Sequence, residues 1–247
     1  MNFTITVKPS PAELGRAAAK KTADCINSAI AQQGFSRILL ATGTSQFETI
    51  SALLDHSIDW GKVEVFHLDE YIGLPKEHPA SFRKYLRERF VAKVGNLKAI
   101  HYVNGEGDIE AHLEELTKNI RSAPIDVALI GIGENSHIAF NDPPANFDSD
   151  AAFIVVELDE KCKLQQVGEG WFPTVSDVPE KAITITAKQI LASNMIISAV
   201  PHKAKANAVR ESLTSSVSPM VPASILKTHR DWHLYIDDAS ASDIFRL

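Results

Sequence analysis

Short runs of valine, isoleucine and leucine recur along the chain, and stretches with apolar residues spaced every three to four positions separate them. A run that is apolar at successive positions belongs to a strand covered on both faces, and the helical stretches between such runs supply the cover. The pattern predicts an α/β fold, a doubly wound, mostly parallel sheet with helices on both faces. Strands are expected at Phe3–Val7 (an edge), Arg37–Ala41, Val63–Leu68, Val127–Ile130, Phe153–Glu157, Lys181–Thr186, Met195–Val200 and Leu234–Ile236. Helices are expected at Ala12–Gln33, Gln46–Leu54, Ala80–Val94, Glu110–Arg121 and His202–Leu213, with a short one after Thr186. No repeat or low-complexity linker interrupts the pattern, so residues 1–247 are read as a single domain.

With 45% hydrophobic and 23% charged residues, the chain has the composition of a globular protein and not of a disordered one. A net charge of -6 argues against non-specific nucleic-acid binding, so any anionic ligand must be held by a few local groups. The N-terminus lacks a basic stretch followed by an apolar one, and no apolar run reaches membrane-spanning length. Two cysteines, Cys25 and Cys162, make no disulfide framework and no zinc spacing, which points to a reduced cytoplasmic protein without a metal.

In parallel α/β sheets ligands bind beyond the carboxyl ends of the strands. Four chemistry-rich segments come directly after expected strands: Thr42–Ser45, Asp69–Tyr71, Gly131–Asn141 and His202–Lys205. Ala41-Thr42-Gly43-Thr44-Ser45-Gln46 offers a tight turn, hydroxyls and helix-start amides to an anion, or serves as a plain strand-to-helix cap. Asp69 and Glu70 put two carboxylates at a strand end, pointing different ways; one could act as a base, or both could serve as caps or ion-pair partners. The loop Gly131-Ile132-Gly133-Glu134-Asn135-Ser136-His137 continues to Asp142 and sets one histidine among polar groups able to orient its ring. It is not a dinucleotide fingerprint, because Ser136 stands where the third glycine belongs. Lys203 and Lys205 open a helix, where positive charge is unfavourable unless an anion binds. Trp171 and Phe172 read as a packed loop or a lid over the site.

Together these stretches resemble the glucosamine-6-phosphate deaminase (isomerase) family, in the superfamily that also holds 6-phosphogluconolactonase. Three motifs carry the resemblance: Thr42-Gly43-Thr44-Ser45; Asp69-Glu70-Tyr71-Ile72-Gly73-Leu74-Pro75 with His78-Pro79-Ala80-Ser81-Phe82; and Gly131-Ile132-Gly133 through His137-Ile138-Ala139-Phe140-Asn141. The resemblance implies a Rossmann-like fold, a sugar-phosphate substrate, no cofactor, and conversion of glucosamine-6-phosphate to fructose-6-phosphate and ammonia. It implies Asp69 as the proton-transferring base and His137 as the group assisting ring opening, with Thr42 to Gln46 and Lys205 holding the phosphate. Three positions depart from the family pattern. Asn135 stands for the aspartate two residues before the histidine, with Glu134 as a neighbouring substitute. Asp142 stands for a glutamate five residues after it, and Gly170 for a phosphate-binding arginine. A lactone hydrolase and a non-catalytic phosphosugar sensor remain as alternative readings. The sequence leaves the oligomeric state open, a homo-oligomer included.

Overall fold

The computed structural model of the protein describes residues 3–244. The strands are β1 (Phe3–Lys8), β2 (Ser36–Leu40), β3 (Val63–His67), β4 (Asp69–Tyr71), β5 (Ala99–His101), β6 (Val127–Leu129), β7 (Phe153–Glu157), β8 (Lys181–Ile185), β9 (Met195–Val200) and β10 (Trp232–Asp237). The helices are α1 (Pro11–Gln33), α2 (Phe47–Leu54), α3 (Phe82–Leu86), α4 (Ala92–Val94), α5 (Ile109–Ile120), α6 (Glu160–Gly168), α7 (Ala187–Leu191) and α8 (Ala206–Thr214). A π-helical segment, Arg87–Val91, joins α3 to α4.

Local chemistry sets the helix ends. Ser10 caps α1 by accepting the Glu13 N–H, Pro11 fits its first turn, and Gly34 closes it in the left-handed conformation (φ 85°). Asp108 caps α5 in the same way through Ala111 N–H.

Seven strands form one sheet in the order β1-β10-β9-β6-β2-β3-β5, and every pairing in it is parallel. Its central strands are apolar on both faces because both faces are covered. Ile38 and Leu40 of β2 pack with α1, α2 and the Tyr85–Phe90 stretch, while Leu39 between them packs with α5 and α8 on the other side. From β2 the chain steps outward to β3 and β5. It then returns to β6 on the other flank of β2 and steps outward to β9 and β10. The order reverses between β2 and β6, and the loops leaving their carboxyl ends diverge to open a crevice there.

One expectation needs correction. Phe153–Glu157 and Lys181–Ile185 do not join the parallel sheet. With β4 they form a separate antiparallel sheet, β4-β8-β7. The physical reason is visible in β7, where burial alternates and Val155 is 44% exposed, as in a sheet with one face toward solvent. Asp69 therefore sits in a strand and not in a loop, paired with Thr184. Thr186 leaves β8 to cap α7. The sequence patterns also missed β5, α6 and the 3-10 stretch Pro222–Thr228. The expected His202–Leu213 helix begins as a 3-10 turn at Lys203–Lys205 before α8. No helix among the described residues is long and apolar enough to cross a membrane.

Candidate active site

The crevice at the sheet reversal opens to solvent and is lined from several separate chain segments. Thr42, Gly43, Thr44 and Ser45 line it after β2, Asp69 from β4, Gly131, Ile132, Gly133 and His137 after β6, and Lys205 after β9.

The Thr42–Ser45 loop is fixed from behind. Gly43 has φ 101°, a conformation that favours glycine. Its carbonyl accepts from Tyr85 Oη (3.0 Å) and Gln46 N–H (3.1 Å). Buried Gln46 donates to Ser45 Oγ and to the Ala199 carbonyl of β9, both at 3.1 Å. The loop's hydroxyls and the helix-start amides thus face the crevice on a rigid support. Lys205 is 8% exposed, and burial lowers its pKa. Lys203 is elsewhere, in an ion pair with Asp243 (2.7 Å).

The small antiparallel sheet positions the other end of the crevice. β4 places Asp69 there at 6% exposure. Burial, then the neighbouring carboxylates of Glu70 and Asp142, push the Asp69 pKa well above the ordinary range. Glu70 turns the other way. It is fully buried and accepts from Ser81 Oγ (2.7 Å), Arg83 N–H (3.0 Å) and Arg83 Nε (3.2 Å). The two adjacent carboxylates thus separate into one at the site and one capping α3.

β8 holds the His137 loop. Phe140 N–H donates to Thr184 Oγ1, and Asn141 Nδ2 to the Ile185 carbonyl. The loop carries two non-glycine residues at positive φ, Ser136 (67°) and Ala139 (49°), and such strain concentrates at functional sites. His137 Nδ1 lies 3.1 Å from Asp142 Oδ1, which also accepts from Asn135 Nδ2 at 3.0 Å. Burial alone would raise Asp142, but His137 and Asn135 outweigh it and hold its pKa below the ordinary range. Asn135 Oδ1 in turn accepts His137 N–H (3.2 Å). Asn135 and Asp142 therefore stand behind the ring, and the crevice wall is His137 itself. The structure does not bring Glu134 to that wall. It is exposed on a neighbouring groove, which Asn135 also lines.

Gly133 makes this arrangement sterically feasible. A Cβ there would stand 2.2 Å from the His137 ring. Gly133→Ala is expected to displace the ring and lower kcat by about 10²-fold with the fold retained, measured as turnover alongside circular dichroism.

Sequence reasoning missed the crevice residues supplied by α6 and the turn after it, Gln165, Gln166 and Glu169, while Trp171, expected in a packed loop or a lid, lines the crevice beside them. The available signal was Asp159, which caps α6 through Cys162 N–H, and the glycines at 168 and 170. His137, Asp142 and Cys162 bring potential metal-ligand atoms within 4.8 Å of one another. Burial and the Asp142 carboxylate push the Cys162 thiol far up, which favours the S–H form.

The sequence profile of the glucosamine-6-phosphate isomerases/6-phosphogluconolactonase family matches residues 9–235. The chain is 35% identical over 234 residues to a glucosamine-6-phosphate deaminase of Halothermothrix orenii, covering 92% of this chain and 95% of that protein. It is 33% identical over 237 residues to glucosamine-6-phosphate deaminase 1 of Bacillus subtilis, with 93% and 95% covered. A solved monomeric glucosamine-6-phosphate deaminase superposes with a TM-score of 0.87 at 32% identity, over 98% of this chain and 100% of that one. The 6-phosphogluconolactonase of Thermotoga maritima shares the fold at 17% identity, with a TM-score of 0.78 over 96% and 100%. The crevice between β2 and β6, with its loop, aspartate, histidine and lysine, is thus set in a fold that both kinds of relative share, and the chain belongs to the glucosamine-6-phosphate isomerase/6-phosphogluconolactonase family.

Proposed function

We propose that the protein is an enzyme that converts glucosamine-6-phosphate and water into fructose-6-phosphate and ammonia. The observation that carries this reading is the convergence of Thr42–Ser45, Asp69, His137 and Lys205, from four separate chain segments, on one crevice. The names of relatives at 33–35% identity over most of the chain support it.

The phosphate sits against the Thr42–Ser45 loop and the Lys205 ammonium, where helix-start amides and one buried cation favour an anion. The sugar then reaches toward Asp69 and His137. With Nδ1 turned toward Asp142 Oδ1, 3.1 Å away, His137 presents Nε2 to the ring oxygen and assists ring opening. Asp69 takes the proton from C2 and returns it to C1, while the amine gives up a proton as O1 gains one, leaving an imine at C2. Water adds at C2 and ammonia leaves, giving the ketone. A carboxylate with a raised pKa is the stronger base for the C2 proton, so the burial of Asp69 serves the chemistry. Asn135 carries no charge, but its position behind the ring leaves Asp142 as the acid that orients His137.

Both thiols are unpaired, which suits a reducing, cytoplasmic compartment. The test is to incubate the protein with glucosamine-6-phosphate and assay fructose-6-phosphate and ammonium together, with 6-phosphogluconolactone hydrolysis in parallel. Equimolar ketose and ammonium are expected. Lactone hydrolysis alone, or thermal stabilisation by the sugar phosphate without turnover, overturns the reading. Lys205→Met is expected to raise KM about 100-fold with a smaller effect on kcat, because a charge-assisted contact to the phosphate is lost.

A further inference from the structure

The crevice wall assigned to the phosphate already contains an anion. Glu169, just beyond the end of α6, lines the crevice beside Thr44, Trp171 and Lys205. Its Oε2 accepts from Trp171 Nε1 at 3.1 Å and from Thr44 Oγ1 at 3.4 Å, and its Oε1 accepts from Gln165 Nε2 at 2.7 Å. The Lys205 ammonium has no hydrogen-bonding or ion-pair partner among the described residues, and the acids whose charge acts on it are Glu169 first and Glu134 second. The carboxylate thus takes a hydroxyl of the anion loop and offsets the one buried cation of the subsite. The backbone here is tied down, Gly170 N–H (φ 80°) donating to the Val167 carbonyl at 2.9 Å and Trp171 N–H to the Gln166 carbonyl at 3.0 Å, so only the Glu169 side chain is free to turn.

We propose that Glu169 is the resident occupant of the phosphate subsite in the free protein, and that the substrate's phosphate enters by displacing it. The proposal rests on the assignment of Thr42–Ser45 and Lys205 to the phosphate. A dianion bound beside Lys205 and a carboxylate holding the same Thr44 hydroxyl repel each other in a half-buried site, where screening is weak. Phosphate binding must therefore turn the Glu169 side chain outward. Glu169 acts as a specificity-determining residue. It sets a threshold that weakly charged sugars, unable to displace it, do not cross, and it does not touch the reacting carbons.

The experiment is calorimetric titration of the full-length protein with inorganic phosphate, in the wild type, Glu169→Gln and Lys205→Met. Glutamine keeps an oxygen for Thr44 and Trp171 but removes the charge, so Glu169→Gln isolates electrostatic competition from packing. Glu169→Gln is expected to bind phosphate about tenfold more tightly than wild type. Lys205→Met is expected to bind it far more weakly. In turnover, Glu169→Gln should lower KM by a larger factor than it changes kcat, a split that a merely structural role would not produce. Phosphate should also shift tryptophan emission in the wild type as the Trp171 indole loses its carboxylate partner, and the shift should be smaller in Glu169→Gln. Equal or weaker phosphate binding by Glu169→Gln, with Lys205→Met still impaired, overturns the displacement while leaving the subsite in place. Phosphate binding that is unaffected by Lys205→Met, or absent from all three proteins, overturns the subsite assignment and the displacement with it.

Discussion

Asp69→Asn is expected to lower turnover of glucosamine-6-phosphate by about 10²–10⁴-fold and, at neutral pH, to raise thermal stability. The first effect arises because asparagine cannot accept the C2 proton. The second arises from linkage. In the folded protein, burial and the carboxylates of Glu70 and Asp142 raise the Asp69 pKa well above its ordinary value. The folded state therefore holds the Asp69 proton more tightly than the unfolded chain does. As pH rises from the unfolded value, about 3.9, through the raised folded value, the unfolded state binds fewer protons, so stability falls. Asparagine is neutral at every pH and escapes that loss. Melting curves of the two proteins should converge toward pH 4 and separate above it, the variant being more stable. A variant that loses activity and also loses stability at neutral pH contradicts the assignment of Asp69 as a buried, poised base.

One residue along, the sign reverses. Glu70→Ala is expected to cost about 3–5 kcal/mol of stability, read as a lower denaturant midpoint with unchanged slope. Glu70 is fully buried and accepts at short range from Ser81 Oγ and from both the backbone and side chain of Arg83. Its Oε1 also accepts Tyr71 N–H at 3.0 Å and Phe82 N–H at 3.3 Å. Deleting the carboxylate strands the first amides of α3 and removes the most deeply buried partner of Arg83, which keeps Asn104, the Leu74 carbonyl and the half-exposed Glu106. Two adjacent acids in the same short strand thus predict opposite outcomes: one substitution gains stability and loses chemistry, the other loses stability.

The parts of the site that were legible in the sequence share one physical cause. Thr42–Ser45, the His137 loop and Lys205 all come after strands of a parallel sheet, and such a sheet gathers the loops at its carboxyl ends whatever their distance along the chain. Asp69 reached the crevice by another route, through a small antiparallel sheet that the patterns did not separate from the parallel one. A five-residue apolar run reads alike in either setting, and the alternation that distinguishes β7 is confined to Ile154, Val155, Val156 and Glu157. Helix α6 was invisible for a different reason. Its buried residues, Cys162, Lys163 and Gln166, are mostly not hydrophobic while Leu164 is exposed, so it carries almost no apolar stripe facing the core. Gln165, Gln166 and Glu169 went unseen with it. Glu134 and Asn135 show the limit of reading roles from proximity in sequence. Both line the groove beside the crevice, and Asn135 differs only in also reaching Asp142 and the His137 backbone.

The most direct test of the central claim is a crystal structure of Asp69→Asn soaked with glucosamine-6-phosphate. The phosphate is expected within hydrogen-bond reach of Thr42–Ser45 and Lys205, with C2 beside the residue 69 side chain and the ring oxygen, or the O5 hydroxyl of an opened sugar, beside His137. A sugar bound in another groove, or bound in this crevice with its phosphate at the Asp69 end, would contradict the claim.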